Sequence, residues 1–234
     1  MPGLFNPRLL GWRAGAAATR AEPTLPLDLS ALLGPQAWQR LPAAVRRRFA
    51  ADHADTVYHG HLDLDCSPLG RGFARLSGLF GGPLTPVRAG AVATRVRVHA
   101  DGRGGVVWER RFASVAGERE RVVRSTKLQG PGATVVERTD GGLAMLLGVF
   151  EERGGLVFRS RCFFFAVGRW RLPIPAWQTP GVCRVEHRDA GGGRFRFTLT
   201  MDHPWWGRSF HQTGLFDDPV ADLPAPKEAA LFRA

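Results

Sequence analysis

The sequence predicts an α+β domain: a strongly curved, mostly antiparallel β-sheet, a barrel or half-barrel, with two short helical insertions packed on it. Three observations lead there. From residue 90 onward the chain is a near-continuous series of β-branched and aromatic segments separated by Gly-rich turns. Within those segments apolar and charged residues alternate. Helical spacing is confined to two stretches, near residues 30–50 and 67–80. About eight strands cannot stay flat without a cover, so the sheet curls around its apolar face.

In chain order, residues 1–28 read as a leader. Its first 21 residues hold Arg8, Arg13 and Arg20 but no acid, a composition shared by organelle transit peptides and by disordered leaders. In "DLSALLGPQAWQRLPAAVRRRFA", Leu32, Leu33, Ala37, Leu41, Val45 and Phe49 give an apolar stripe broken by Pro35 and Pro42. Two short helices are predicted, with Pro42 in the first turn of the second and Arg46, Arg47 and Arg48 at its solvated end. "TVYHGHLDLD" alternates as a half-solvated strand, Tyr58, Leu62 and Leu64 opposite His59, His61 and Asp63. "SPLGRGFARLSGLFGG" is a packing helix, capped by Ser67, with Leu69, Phe73, Leu76 and Phe80 as its stripe.

The strands that follow are punctuated by "DGRGG", "GPG", "DGG", "RGG" and "DAGGG". Phe195, Phe197, Leu199 and Met201 share one face, and Leu156, Phe158, Ser160, Cys162 and Phe164 share another, with most arginines opposite. "GRWRLPIPAW" and "DHPWWGRSF" read as Trp-bearing loops at the sheet's rim. Residues 29–216 form the single domain and 217–234 a Pro- and Ala-rich tail.

Thirty of the 32 basic residues are arginine and the formal net charge is +11, which favours anionic partners but says nothing of fold. The arginines are spread over many strands, so weak non-specific nucleic-acid binding is the most they imply. Three cysteines without zinc spacing suit reduced thiols in a reducing, cytoplasmic compartment. No apolar run is long enough for a transmembrane segment.

Several fragments, in order and spacing, resemble the bacterial DUF4166 family, a domain of unknown function: "LLGPQAWQRLPAAVRR", "YHGHLDLD", "GRGFARLSGLFGGP", "VVWERRF", "VVER", "GRWRLPIP", "RFRFTLTMDHPWWG" and "FHQTGLF". Trp108, Arg110 and Phe112 match the family's W-x-R-x-F pattern, and Glu137 and Arg138 its Glu-Arg pair. His211 stands where the final YxG-like motif has tyrosine. The resemblance implies no established activity. It does imply a possible reductase partner, since similar domains occur fused to saccharopine-dehydrogenase-like or other reductase domains.

No dinucleotide, phosphate-loop, zinc-protease or serine-hydrolase motif is present, so no cofactor is assigned. His59, His61, Asp63 and Asp65 line one strand face, but spacing fixes no third ligand and no metal site follows. Arg110 is the informative residue. Alternation carries it inward between Trp108 and Phe112, where a guanidinium needs an acid, a ring or a ligand anion; Glu137 is the candidate acid. The leading reading is non-catalytic binding of a small apolar or amphipathic molecule in the concave face, by Trp108, Arg110, Phe112, Glu137, Phe158, Phe197 and His211. The alternatives are a protein-interaction module with a filled core, and an enzyme without a signature using Arg110, Glu137 and His211.

Overall fold

The computed structural model describes residues 26–50, 55–82, 84–114 and 119–219. Most of the expected leader and tail lies outside the described residues. The helices are α1 (Leu29–Leu33), α2 (Pro35–Arg40), α3 (Ala43–Arg48) and α4 (Pro68–Gly78). The strands are β1 (Thr56–Cys66), β2 (Ala89–Ala100), β3 (Val106–Phe112), β4 (Arg121–Gln129), β5 (Thr134–Thr139), β6 (Leu143–Glu152), β7 (Gly155–Val167), β8 (Trp170–Ile174), β9 (Val182–Gly191), β10 (Arg194–His203) and β11 (Gly207–Asp217).

All strand pairings are antiparallel, and the sheet runs β6-β5-β4-β3-β2-β1-β11-β10-β9-β7-β8. Because β6 also pairs with β7, ten strands close into a barrel and β8 stays outside the ring. The expected curved antiparallel sheet is therefore a closed one. Alternation sorts its faces: Tyr58, Leu62, Leu64, Val92, Val96, Val98, Phe195 and Met201 are buried inside, while Arg95, Arg97, Arg194 and Arg196 are exposed outside.

The shared face expected for Leu156 to Phe164 does not persist. Leu146 pairs with Cys162 but Leu147 with Ser160, so Arg161 is the extra residue of a bulge. One added residue reverses the alternation. Leu156 and Phe158 stay in the barrel core and Phe163 joins them, whereas Cys162 and Phe164 turn outward onto Val136, Ala144 and Leu146. Beyond the bulge β7 pairs with β8. "GRWRLPIP", expected as a loop, is thus an edge strand, where Pro173 removes no needed ladder donor.

The first helical stretch holds three helices instead of two. Asp28 caps α1, accepting from the N–H groups of Ser30 and Ala31. Gly34, at φ 78°, makes the turn into α2, which starts at Pro35, and Pro42 caps α3 from outside its first turn. α1 and α2 lie against β6 and α3 against β9. Together they stopper one end of the barrel with Leu27, Leu29, Leu41, Val45 and Phe49.

Arg48 departs from its expected solvated position. Its side chain is 1% exposed, with Nη2 2.6 Å from Asp218 Oδ2 and the guanidinium 3.7 Å from the centre of the Phe195 ring. Leu27 and Asp218 are both buried, so the ordered body extends slightly past the 29–216 limits read from composition.

The helix α4 caps the other end, and its packing also differs from expectation. Its buried residues are Gly70 and Ala74. A Cβ on Gly70 would lie 2.2 Å from the Ser209 carbonyl oxygen of β11, so only glycine permits that approach. The stripe expected to pack inward divides, with Phe73 half-buried against the core and Leu69 and Leu76 exposed.

Breaking a buried ion pair strands a charge, at a cost of about 3–5 kcal/mol. Asp218→Asn is expected to lower the unfolding free energy by that amount in urea denaturation. Asp217→Asn, at the exposed neighbour, should change it by less than ~0.5 kcal/mol.

Candidate functional site

Three adjacent strands bring polar side chains into the barrel. Inward alternation places Trp108 and Arg110 of β3, Ser125 and Lys127 of β4, and Glu137 of β5 side by side, with Trp108 opposite Ser125 and Lys127 opposite Glu137. Ser125 Oγ donates to Glu137 Oε1 at 2.7 Å, and Arg110 Nη1 donates to Ser125 Oγ at 3.3 Å. Arg110 Nη2 lies 3.6 Å from Glu137 Oε1 and Lys127 Nζ 3.2 Å from Oε2. Lys127 Nζ also sits 4.6 Å from the centre of the Trp108 ring, whose face attracts cations.

Burial pushes the Glu137 carboxyl up, but Lys127 and Arg110, with hydrogen bonds from Ser125 and Lys127, outweigh it and hold the group at about 2. Glu137 is therefore a fixed anion that only accepts hydrogen bonds. Burial pulls Lys127 down while Glu137 supports its charge. Cys183 nearby is no nucleophile, because burial pushes its thiol up to about 12.

Toward the stoppered end the interior is filled. Phe158 is fully buried, Phe197 packs against the core, and Phe49 stacks on Trp108 at 6.0 Å between centres. His187 stands among Phe49, Trp108, Phe158, Phe195 and Phe197. Its buried Nδ1 has no hydrogen-bond partner. Burial, with the positive charges of Arg48, Lys127 and Arg110, holds its pKa well below the imidazole value of 6.5. The void beside Trp108, Arg110 and Phe197 measures only about 20 Å³, room for about one water.

The open space lies at the α4 end. A cavity of about 620 Å³ is walled by Phe73, Leu76 and Phe80 from the α4 side, Met145 and Phe163 from the barrel, and Trp177 from the turn Ala176–Gln178 that follows β8. Ser125 and Glu137 form its polar floor. Of the seven residues expected to bind ligand, Glu137 alone reaches this cavity. Trp108, Arg110 and Phe197 line the small void, Phe112 and Phe158 belong to the packed core, and His211 does not join them. His211 pairs with Asp65 and Thr200, next to the inward Phe210, so it points out of the barrel.

A family model described as a domain of unknown function, DUF4166, matches residues 41–216, about three quarters of the chain. The chain belongs to the DUF4166 family. The match takes in α3, α4 and every strand except the last residue of β11, so both the polar cluster and the cavity fall inside the DUF4166 domain. No curated protein matches the chain. Sequence reading missed Lys127 and His187. Lys127 was legible from alternation, because Val123, Ser125 and Lys127 share a parity in "RVVRSTKLQ".

Two outcomes test this electrostatic arrangement. Glu137→Gln should destabilise the DUF4166 domain by about 3–5 kcal/mol by stranding two cations. Adding Lys127→Met should recover more than adding Arg110→Met, because the Lys127 side chain is 7% exposed and that of Arg110 16%. His187 supplies a pH signature. Its pKa is depressed in the folded state, so its contribution is complete above pH 6.5 and is lost as the pH falls below that value, at up to ~1.4 kcal/mol per pH unit. Glu137 adds a second loss between about pH 4.5 and 2. His187→Phe should flatten the first decline in denaturation curves and leave the second.

Proposed function

We propose that this DUF4166 domain is a non-catalytic binding domain that holds a small apolar or amphipathic molecule in the cavity at the α4 end of the barrel. The observation that carries the reading is the cavity itself. It has the size of a small-molecule site and largely apolar walls with a few polar residues, among them the hydrogen-bonded Ser125–Glu137 pair. Of the polar cluster, Ser125 and Glu137 line the cavity while Lys127 and Arg110 stay behind them, so the group the cargo meets is a hydrogen-bond acceptor and the polar end it favours is a donor, a hydroxyl or an amine. The concave face near Trp108 is too full to serve.

The chemistry of the floor favours binding over turnover. The Ser125 hydroxyl is spent on Glu137, and the Glu137 carboxylate is paired with Lys127, so neither cavity-lining group is free to act as a nucleophile or base. Cys66, Cys162 and Cys183 are free thiols, in keeping with a cytoplasmic setting. A reductase is the partner class that the family's fusions suggest for such a carrier.

Phenylnaphthylamine, whose fluorescence rises in apolar surroundings, should bind saturably and be displaced by dodecanol or dodecylamine at least ~tenfold better than by dodecanoate. Leu143→Trp, which places an indole in the cavity from a half-buried wall position, should abolish the signal. No saturable binding, or preference for the acid, would reject the reading.

A further inference from the structure

Apart from Phe150, the exposed large apolar side chains of the described residues gather at the α4 end of the barrel. α4 and the residue after it contribute Leu69, Leu76 and Leu79, the β7–β8 hairpin contributes Val167, Trp170 and Leu172, and Trp177, Trp205 and Trp206 come from two further segments. Leu79 is 78% exposed and Trp205 74%. Leu76 and Trp177 belong both to this patch and to the cavity wall, so the patch adjoins the cavity. Trp206 and Phe73, whose rings stack at 6.4 Å, link the β10–β11 hairpin to α4. Isolated exposed apolar residues need no explanation, but so many at one end of the barrel do.

The charges beside the patch identify what covers it. Arg71 and Arg75 are exposed on α4, and Arg169 sits over the exposed Trp170 ring. Asp65, beside α4, is paired with Arg88, and Asp202, in the β10–β11 hairpin, is paired with Arg208. The face therefore presents indoles and leucines among arginines, with Asp140 of the β5–β6 turn as an exposed acid at its margin beside the end of α4. A second copy docked symmetrically would set these arginines against each other. Indoles settle at the headgroup level of a bilayer, and arginines beside them meet lipid phosphates.

We infer that the α4 end of the barrel docks on an anionic lipid bilayer, with Leu79, Trp170, Trp177 and Trp205 entering the headgroup layer and Arg71, Arg75 and Arg169 contacting phosphates. The cavity then lies beside the bilayer. This goes beyond the cargo reading, on which it does not depend: vesicle binding is measured without any cargo, and phenylnaphthylamine binding without any vesicle, so either can fail alone.

The experiment is cosedimentation with vesicles of equal parts phosphatidylglycerol and phosphatidylcholine, followed also by tryptophan emission. The wild-type chain should pellet with a blue shift, bind phosphatidylcholine alone at least ~tenfold more weakly, and be released by salt. Leu79→Ser with Trp170→Ser and Trp205→Ser should lose binding. Arg71→Gln and Arg75→Gln should weaken it about fivefold each. Phe150→Ser, at an exposed apolar site on the other half of the barrel, should bind as wild type. Failure of the wild-type chain to bind the anionic vesicles would overturn the inference, as would equal loss in Phe150→Ser. So would a triple variant that keeps vesicle binding but dissociates a dimer in sedimentation velocity, which would assign the patch to a second copy. If the triple variant misfolds, the arginine variants and the salt series decide the matter alone.

Discussion

Ring size governs this molecule. Barrel diameter grows with strand number, and about eight strands already give an interior that wall side chains just fill. Ten strands enclose more. The surplus must be occupied, and the chain meets it differently at each end. Three short helices drive Leu41, Val45 and Phe49 into one mouth, where Phe49 meets Trp108, Phe158 and His187. Nothing comparable enters the opposite mouth, since α4 lies across β11 on its glycine and alanine and sends only Phe73 of its apolar stripe against the core. Stopper and cavity are two consequences of one geometric excess.

Midway between them lies the charged layer. A dry interior tolerates a carboxylate only with partners, and Glu137 has a hydroxyl, an ammonium and a guanidinium within reach. Cations also lie over aromatic faces: Lys127 over Trp108, and a separate one, Arg48, over Phe195 while paired with Asp218. Burial first, and then the positive charges of Arg48, Lys127 and Arg110, keep His187 neutral. The aromatic packing of the closed end and the polar floor of the open end are thus coupled through a few residues on neighbouring strands.

Much of the barrel was legible because its information is local. Alternation in "RFRFTLTMDH" or "TVYHGHLDLD" decides which face is apolar, and Gly-rich turns mark where strands reverse. The departures come from features that alternation does not encode. A single bulged residue at Arg161 exchanged the faces of Cys162, Phe163 and Phe164. β8 carries two exposed large apolar residues and a proline, the pattern of a loop, because an edge strand outside the ring needs no buried face. The amphipathic stripe of α4 was real, but periodicity says that two faces differ, not which one meets the core. Arg48 sits in a run of three arginines, and only the return of the chain at Asp218 distinguishes it from its neighbours. The Arg110–Glu137 contact was anticipated. The cavity at the α4 end was not legible, because its walls come from α4, β6, β7 and the segment after β8, which no single strand pattern brings together.

The bulge in β7 separates two mechanical roles within one strand. Before it, β7 is a stave of the ring, held by β6 on one side and β9 on the other; after it, the outer neighbour is β8, which pairs with no other strand. Peeling β8 away breaks only the five register pairs to β7 and leaves every stave bonded on both sides. The chain just past β8 carries Trp177 into the cavity wall. Amide exchange along Trp170–Ile174 can therefore report a sub-global opening far below the free energy of unfolding. Loss of the β8 ladder is uncoupled from the integrity of the ring.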